Sequence, residues 1–161
     1  MKRPSKLAII APASGNILSV SPDEEDHTAL ERLVNDAAWV APAETLWQLS
    51  QARTLASALT ALRRVEYAVI ICERDLRPGS WKELLEITQW LAQPPLLIVS
   101  SRLADEYLWA EALHLGAHDV LAKPFCPAEV IRVINLACLR WHRERQHAGR
   151  SMVVEMAASG V

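Results

Sequence analysis

The sequence predicts an α/β fold in which a five-stranded parallel sheet is wound on both faces by five helices. Three observations carry this. Strand-like apolar runs alternate strictly with helix-periodic runs, the order that parallel sheets require. The run "AVIIC" at residues 68–72 is apolar throughout, as befits a central strand buried on both faces. The helical runs also carry start and stop signals, with caps and Pro at their beginnings and Pro or Gly at their ends.

The elements follow in order. "NILSV" (16–20) is a short apolar strand, and "SPDEEDHTALERLVNDAAW" a helix. There Ser21 and Glu24 have capping-box spacing, Pro22 suits a first turn, and Leu30, Leu33, Val34 and Ala37 form the buried stripe. "TLWQLSQA" gives the second strand and "TLASALTALRRV" the second helix, with Leu55, Ala58, Leu59 and Leu62 on one face. After the central strand, "SWKELLEITQWLA" is a helix stopped by Pro94 and Pro95. "LLIVSS" is the fourth strand, and "ADEYLWAEALHLGA" a helix closed by Gly116. "HDVLA" is the fifth strand, and Pro127 opens the last helix, "PAEVIRVINLACLRWHRER". Residues 1–14 read as an N-terminal arm, 15–142 as one domain, and 143–161 as a loose C-terminal tail.

Composition bounds the function. The chain has 161 residues, 51% of them hydrophobic, and a formal net charge of −2. That length suits one domain with a full core, and the charge gives no reason to expect a direct nucleic-acid contact. No apolar run approaches a membrane span of ~18 residues. The apolar stretch after the basic start, Leu7 to Ala11, is too short for a secretory signal, which points to a cytoplasmic protein. The three cysteines, Cys72, Cys126 and Cys138, lie far apart and read as reduced thiols, two of them in the core. His114 and His118 flank Gly116, so they are not expected to share a helix face or a metal. The tryptophans Trp39, Trp47, Trp81 and Trp90 read as packing residues, and Trp141 as a helix-end contact. No Gly-rich phosphate loop or nucleophile–base pair supports an enzyme.

Three segments together resemble the receiver domain of the response regulators of bacterial two-component signalling. These are "GAHDVLAKPF" before a Pro-initiated helix, a third strand ending in acid before "DLRPGSWKELL", and "LLIVSS" ending in a hydroxyl. The resemblance runs from about Gly15 to His142 and implies a flavodoxin-like sheet of strand order 2-1-3-4-5. In that family, two acids after the first strand and an aspartate after the third hold magnesium, and the aspartate accepts a phosphoryl group. A hydroxyl after the fourth strand and a lysine after the fifth contact the phosphoryl oxygens, and an aromatic on the fifth strand is the switch. Here the resemblance puts Glu73 at the acceptor, Ser100 at the hydroxyl, Lys123 at the lysine and Val120 at the aromatic. Ser21 and Pro22 take the acidic pair, with Asp23 beside them in the first helical turn.

These departures direct the functional reading. Magnesium usually needs one or two carboxylates in an octahedral oxygen set, and phosphoryl transfer needs accurate placement. With Glu73 as the sole remaining acid, the expectation is no metal, no cofactor and no catalysis, with Glu73 paired to Lys123 as a fixed charge. It either mimics a phosphorylated state or fills the pocket. The expected function is a stand-alone, phosphorylation-independent protein-interaction module. Its partner protein or second copy would dock on the fourth helix, fifth strand and fifth helix, with Leu108, Trp109, Ala112 and Val133 outward. Two alternatives stand beside it: a working phosphoacceptor that uses Asp75 or a noncanonical pocket, with magnesium, and a small-ligand sensor.

Overall fold

The computed structural model describes residues 14–37 and 47–160. The arm before Ser14, Trp39 and the first residues of "TLWQLSQA" lie outside the described residues.

The elements are β1 (Gly15–Val20), α1 (Glu24–Ala37), β2 (Trp47–Ala52), α2 (Leu55–Arg64) and β3 (Val69–Glu73). They continue as α3 (Trp81–Thr88), β4 (Leu96–Ser101), α4 (Glu106–Leu115), β5 (Asp119–Ala122) and α5 (Pro127–Ser159). All strand pairs are parallel, in the order β2-β1-β3-β4-β5. The chain reverses direction across the sheet after β2, so α1 and α5 cover one face while α2, α3 and α4 cover the other. On one side Leu18, Ile70, Cys72, Leu97 and Val99 meet Ala58, Leu84, Leu108 and Ala112. On the other, Ile17, Val69, Ile71 and Ile98 meet Leu30, Val34, Val130, Ile134 and Trp141. The strands β3 and β4 are therefore buried on both faces, which is why their sequences run apolar without alternation.

Local chemistry sets the helix ends. Thr54 caps α2 in a reciprocal box with Ser57, Ser80 caps α3 through the Glu83 N–H, and Asp105 caps α4 through the Leu108 N–H. Gly116 closes α4 with φ of 106°, a left-handed conformation that favours glycine.

Six expectations are corrected. Ser21 does not cap α1: Asp23 does, its Oδ1 accepting the Glu25 N–H at 3.0 Å, while Glu24 turns outward to Arg53. Trp90 is 86% exposed, in the turn after α3. The chain beyond Gln146 is not loose, because α5 continues for 33 residues to Ser159. Those later residues carry no buried stripe but are mostly good helix formers, which sustains the helix as a rod projecting past the core. Trp141 accordingly sits within α5 and not at its end. Finally, the inward phase of α4 is Leu108 and Ala112, both buried, while Leu113 and Leu115 are exposed. Val133 is buried as well, so of the expected docking residues only Trp109 is open to solvent. Among the described residues, no helix is long and apolar enough to cross a membrane.

Candidate functional site

At the carboxyl edge of the sheet the ends of β1, β3, β4 and β5 converge, where ligands of open α/β sheets bind. The centre is Lys123, just past β5. Its backbone N–H donates to the Ser101 carbonyl at 2.9 Å, which aims the side chain back across the sheet. Its Nζ donates to Glu73 Oε2 and, at 2.8 Å, to Asp26 Oδ2. All three side chains are at most 9% exposed.

Each carboxylate has a second, neutral donor. Asp26 Oδ2 accepts the Ser21 hydroxyl at 2.7 Å, and Glu73 Oε1 accepts the Asp75 N–H at 3.1 Å. Two acids thus share one ammonium and two neutral donors, a set that lets buried charges persist. Burial pulls the Lys123 pKa down, but the hydrogen bonds and charges of Asp26 and Glu73 outweigh it and hold the ammonium above its ordinary value.

Behind this cluster lies a fully buried histidine. His27 Nε2 is 2.9 Å from the Ser21 carbonyl, which can only accept, so Nε2 carries the proton. Nδ1 is hydrogen-bonded to Ser19 Oγ at 2.8 Å. His27 ties the carbonyl of Ser21 while the Ser21 hydroxyl holds Asp26, so the β1–α1 turn is fixed from both sides.

The cavity above the cluster is lined by the polar residues Asp23, Glu73, Asp75, Ser101, Arg102 and Lys123, together with Pro22 and Leu103. The hydroxyl in this lining is Ser101, not Ser100. Ser100 is buried in register with Glu73, and its carbonyl accepts the Arg74 N–H at 2.9 Å. Asp75 is exposed at the cavity mouth, and Arg102 approaches Asp23 only to 3.9 Å across solvent. Val120 is buried under α4 with Leu108 and Ala112, a packing residue with no access to the cavity. Asp26 and His27 are both passed over in the sequence reading. The missed signal is that both lie on the upstream continuation of the Leu30–Val34 stripe, so an acid and a histidine face inward.

No protein-family model matches the chain, and no curated protein matches it. Solved structures do. The signal receiver domain of an HD domain-containing protein from Pseudomonas fluorescens Pf-5 superposes with a TM-score of 0.70 at 24% identity, over 88% of this chain and 98% of that one. The receiver domain of the Francisella response regulator 1452 gives 0.67 at 20%, over 79% and 98%. The chemotaxis response regulator CheY4 of Vibrio cholerae gives 0.65 at 15%, over 77% and 98%. The chain has the response regulator receiver fold.

Within a receiver fold this cavity is where magnesium is implied, and the carboxylates in its lining here are Asp23, Glu73 and Asp75. Ser21 and Pro22 bring no carboxylate. Glu73 and Asp26 are both taken by Lys123 and by a second donor. Among the described residues, no three His, Cys, Asp or Glu side chains are grouped to hold a metal. A lysine ammonium stands among the acids, and a divalent cation would have to displace it and find further oxygens.

Proposed function

We propose that the chain is a protein-interaction module of two-component signalling that works without phosphorylation, its receiver pocket closed by an internal cation. The observation that supports this most directly is the Lys123–Glu73–Asp26 cluster, in which the charges are already satisfied. On this reading the chain is not an enzyme, needs no cofactor, acts in the cytoplasm and contacts neither nucleic acid nor membrane. Its partner, a protein or a second copy, docks on the α4–β5–α5 side, where Trp109, Leu113 and Leu136 are among the exposed apolar groups.

A second reading keeps phosphorylation and moves it to Asp75, whose exposed position at the cavity mouth favours it over Glu73 as an acceptor. Incubation with magnesium and acetyl phosphate or beryllofluoride, read by intact mass and thermal shift, separates the two. The interaction reading expects no adduct and no shift. A magnesium-dependent adduct lost in Asp75→Asn would replace it with the second.

A further inference from the structure

At the opposite edge of the sheet, where the strands begin, two adjoining cavities share Ala92 and Gln93 of the α3–β4 turn. One lies between this turn and the end of α2, against Arg63, Arg64, Glu66 and Tyr67. The other lies between the turn and α5, against Pro94, Trp141, Glu144 and Arg145.

Three features of this edge take no part in the Lys123 site. The Trp141 indole is only 6% exposed, yet its Nε1–H has no acceptor among the described residues. A buried donor of this kind marks a place where an acceptor is missing. Next, Leu91 and Val65 expose apolar surface in the first cavity, and Trp90, next to Leu91 in the same turn, is open to solvent. Single exposed aliphatics are ordinary, but an open tryptophan beside a groove is the kind of anchor that interfaces use. Finally, the charge here is unbalanced. Glu66 is paired with Arg145 at 3.2 Å and Glu144 with Arg140 at 2.8 Å, whereas Arg63 and Arg64 are exposed and enter no ion pair among the described residues.

We propose that this edge docks an extended acidic peptide segment of a partner protein, with an apolar side chain among its carboxylates. A chain crossing the Ala92–Gln93 turn reaches both cavities, whereas a small anion occupies one. Its carboxylates face Arg63 and Arg64, its apolar side chain covers Trp90 and Leu91, and a backbone carbonyl accepts the Trp141 Nε1–H. Arg145 lies over the Trp141 ring at 5.2 Å and keeps its ion pair to Glu66. Charge complementarity selects the partner's sign, and the orphan donor fixes its register. The site lies across the sheet from Lys123 and is independent of how that pocket is read.

The test uses the full chain with 15N-labelled tryptophan, the Trp141 and Trp90 indole signals being assigned from Trp141→Phe and Trp90→Phe. The probes are a pool of short Asp/Glu-rich peptides with a central Leu, Phe or Trp, a matched Lys-rich pool, and free glutamate. The acidic pool is expected to shift both indole signals, with the Lys-rich pool and glutamate silent. Reversing the surface charges in Arg63→Glu/Arg64→Glu, with an unchanged melting curve, is expected to weaken the response about tenfold, as losing rim charges does. The proposal is overturned if millimolar acidic pool moves neither signal, or if the response survives the double reversal. It is equally overturned if glutamate alone reproduces the shifts, which would make this a small-anion site.

Discussion

Replacing Lys123 by Met keeps most of the side chain's length and removes its charge, leaving Glu73 and Asp26 facing each other at no more than 9% exposure. Removing one partner of a buried ionic cluster typically costs ~3–5 kcal/mol, because the remaining charge is neither solvated nor paired. For a chain of this size, each kcal/mol lowers Tm by about 2–4 °C, so the variant should melt roughly 6–20 °C lower. Glu73→Gln should behave differently. Asp26 still neutralises Lys123, and the repulsion between the two acids disappears, so the loss should stay within about 1 kcal/mol. The triple variant Lys123→Met/Glu73→Gln/Asp26→Asn should recover much of the single-variant loss, since it buries no unpaired charge. Urea denaturation and thermal melts at neutral pH measure all three. The dependence on pH follows from the raised Lys123 pKa. Its contribution is full below the ordinary lysine value of 10.5 and is lost only as pH rises through the higher folded-state value. The lysine's part of the gap between wild type and Lys123→Met should therefore hold steady through neutral pH and narrow in strong alkali. A Lys123→Met loss no larger than that of Glu73→Gln would refute the view that the ammonium holds this site together.

Three further outcomes follow from other parts of the molecule. Burial, then the Arg140 cation, lowers the His118 pKa against the opposing pull of Asp119 and Glu144. Its neutral form is the one the fold favours, so a small part of the stability, under about 1 kcal/mol after solvent screening, should disappear as pH falls below the ordinary histidine value of 6.5. In Arg140→Gln the His118 titration followed by NMR should move upward, and an unmoved titration would remove Arg140 as a cause. Gly149 sits inside α5 with open space, nothing within 4 Å, where a methyl group would project, so Gly149→Ala should strengthen the projecting end by about 1 kcal/mol. Hydrogen exchange should slow beyond it while the global Tm stays put. Of the three thiols, only exposed Cys126 should react rapidly with Ellman's reagent, because burial pushes Cys138 up to about 12 and Cys72 higher still.

The sheet and its helices are legible in the sequence because each strand and helix carries its own signal: the unbroken apolar runs of β3 and β4, Pro127 at the start of α5, Gly116 at the end of α4. The site is legible in part. Glu73 and Lys123 can be placed by their segment ends. Ser100 and Ser101 cannot be separated, because two adjacent serines at the end of an apolar run do not reveal which one faces the cavity, and one residue of slip exchanges the faces. The phase of α4 is hidden for a related reason. Leu108, Trp109, Ala110, Ala112, Leu113 and Leu115 put apolar groups all round the helix, so periodicity does not choose between them and packing against Val120 does. In α5 the fading of the apolar stripe after Trp141 suggests the end of the helix, when it marks only the end of the core beneath it.

Lys123 has a kinetic side as well. Its bond to Asp26 closes a separation of 97 residues, and its bond to Glu73 one of 50. Contacts this distant along the chain are made only after β1, β3 and β5 have assembled, since the loops between them must be closed first. The cluster therefore acts as the latch of a finished fold and not as part of its nucleus. Such late contacts leave the folding rate nearly unchanged and slow unfolding, so the lifetime of the native state is where this lysine has its main effect.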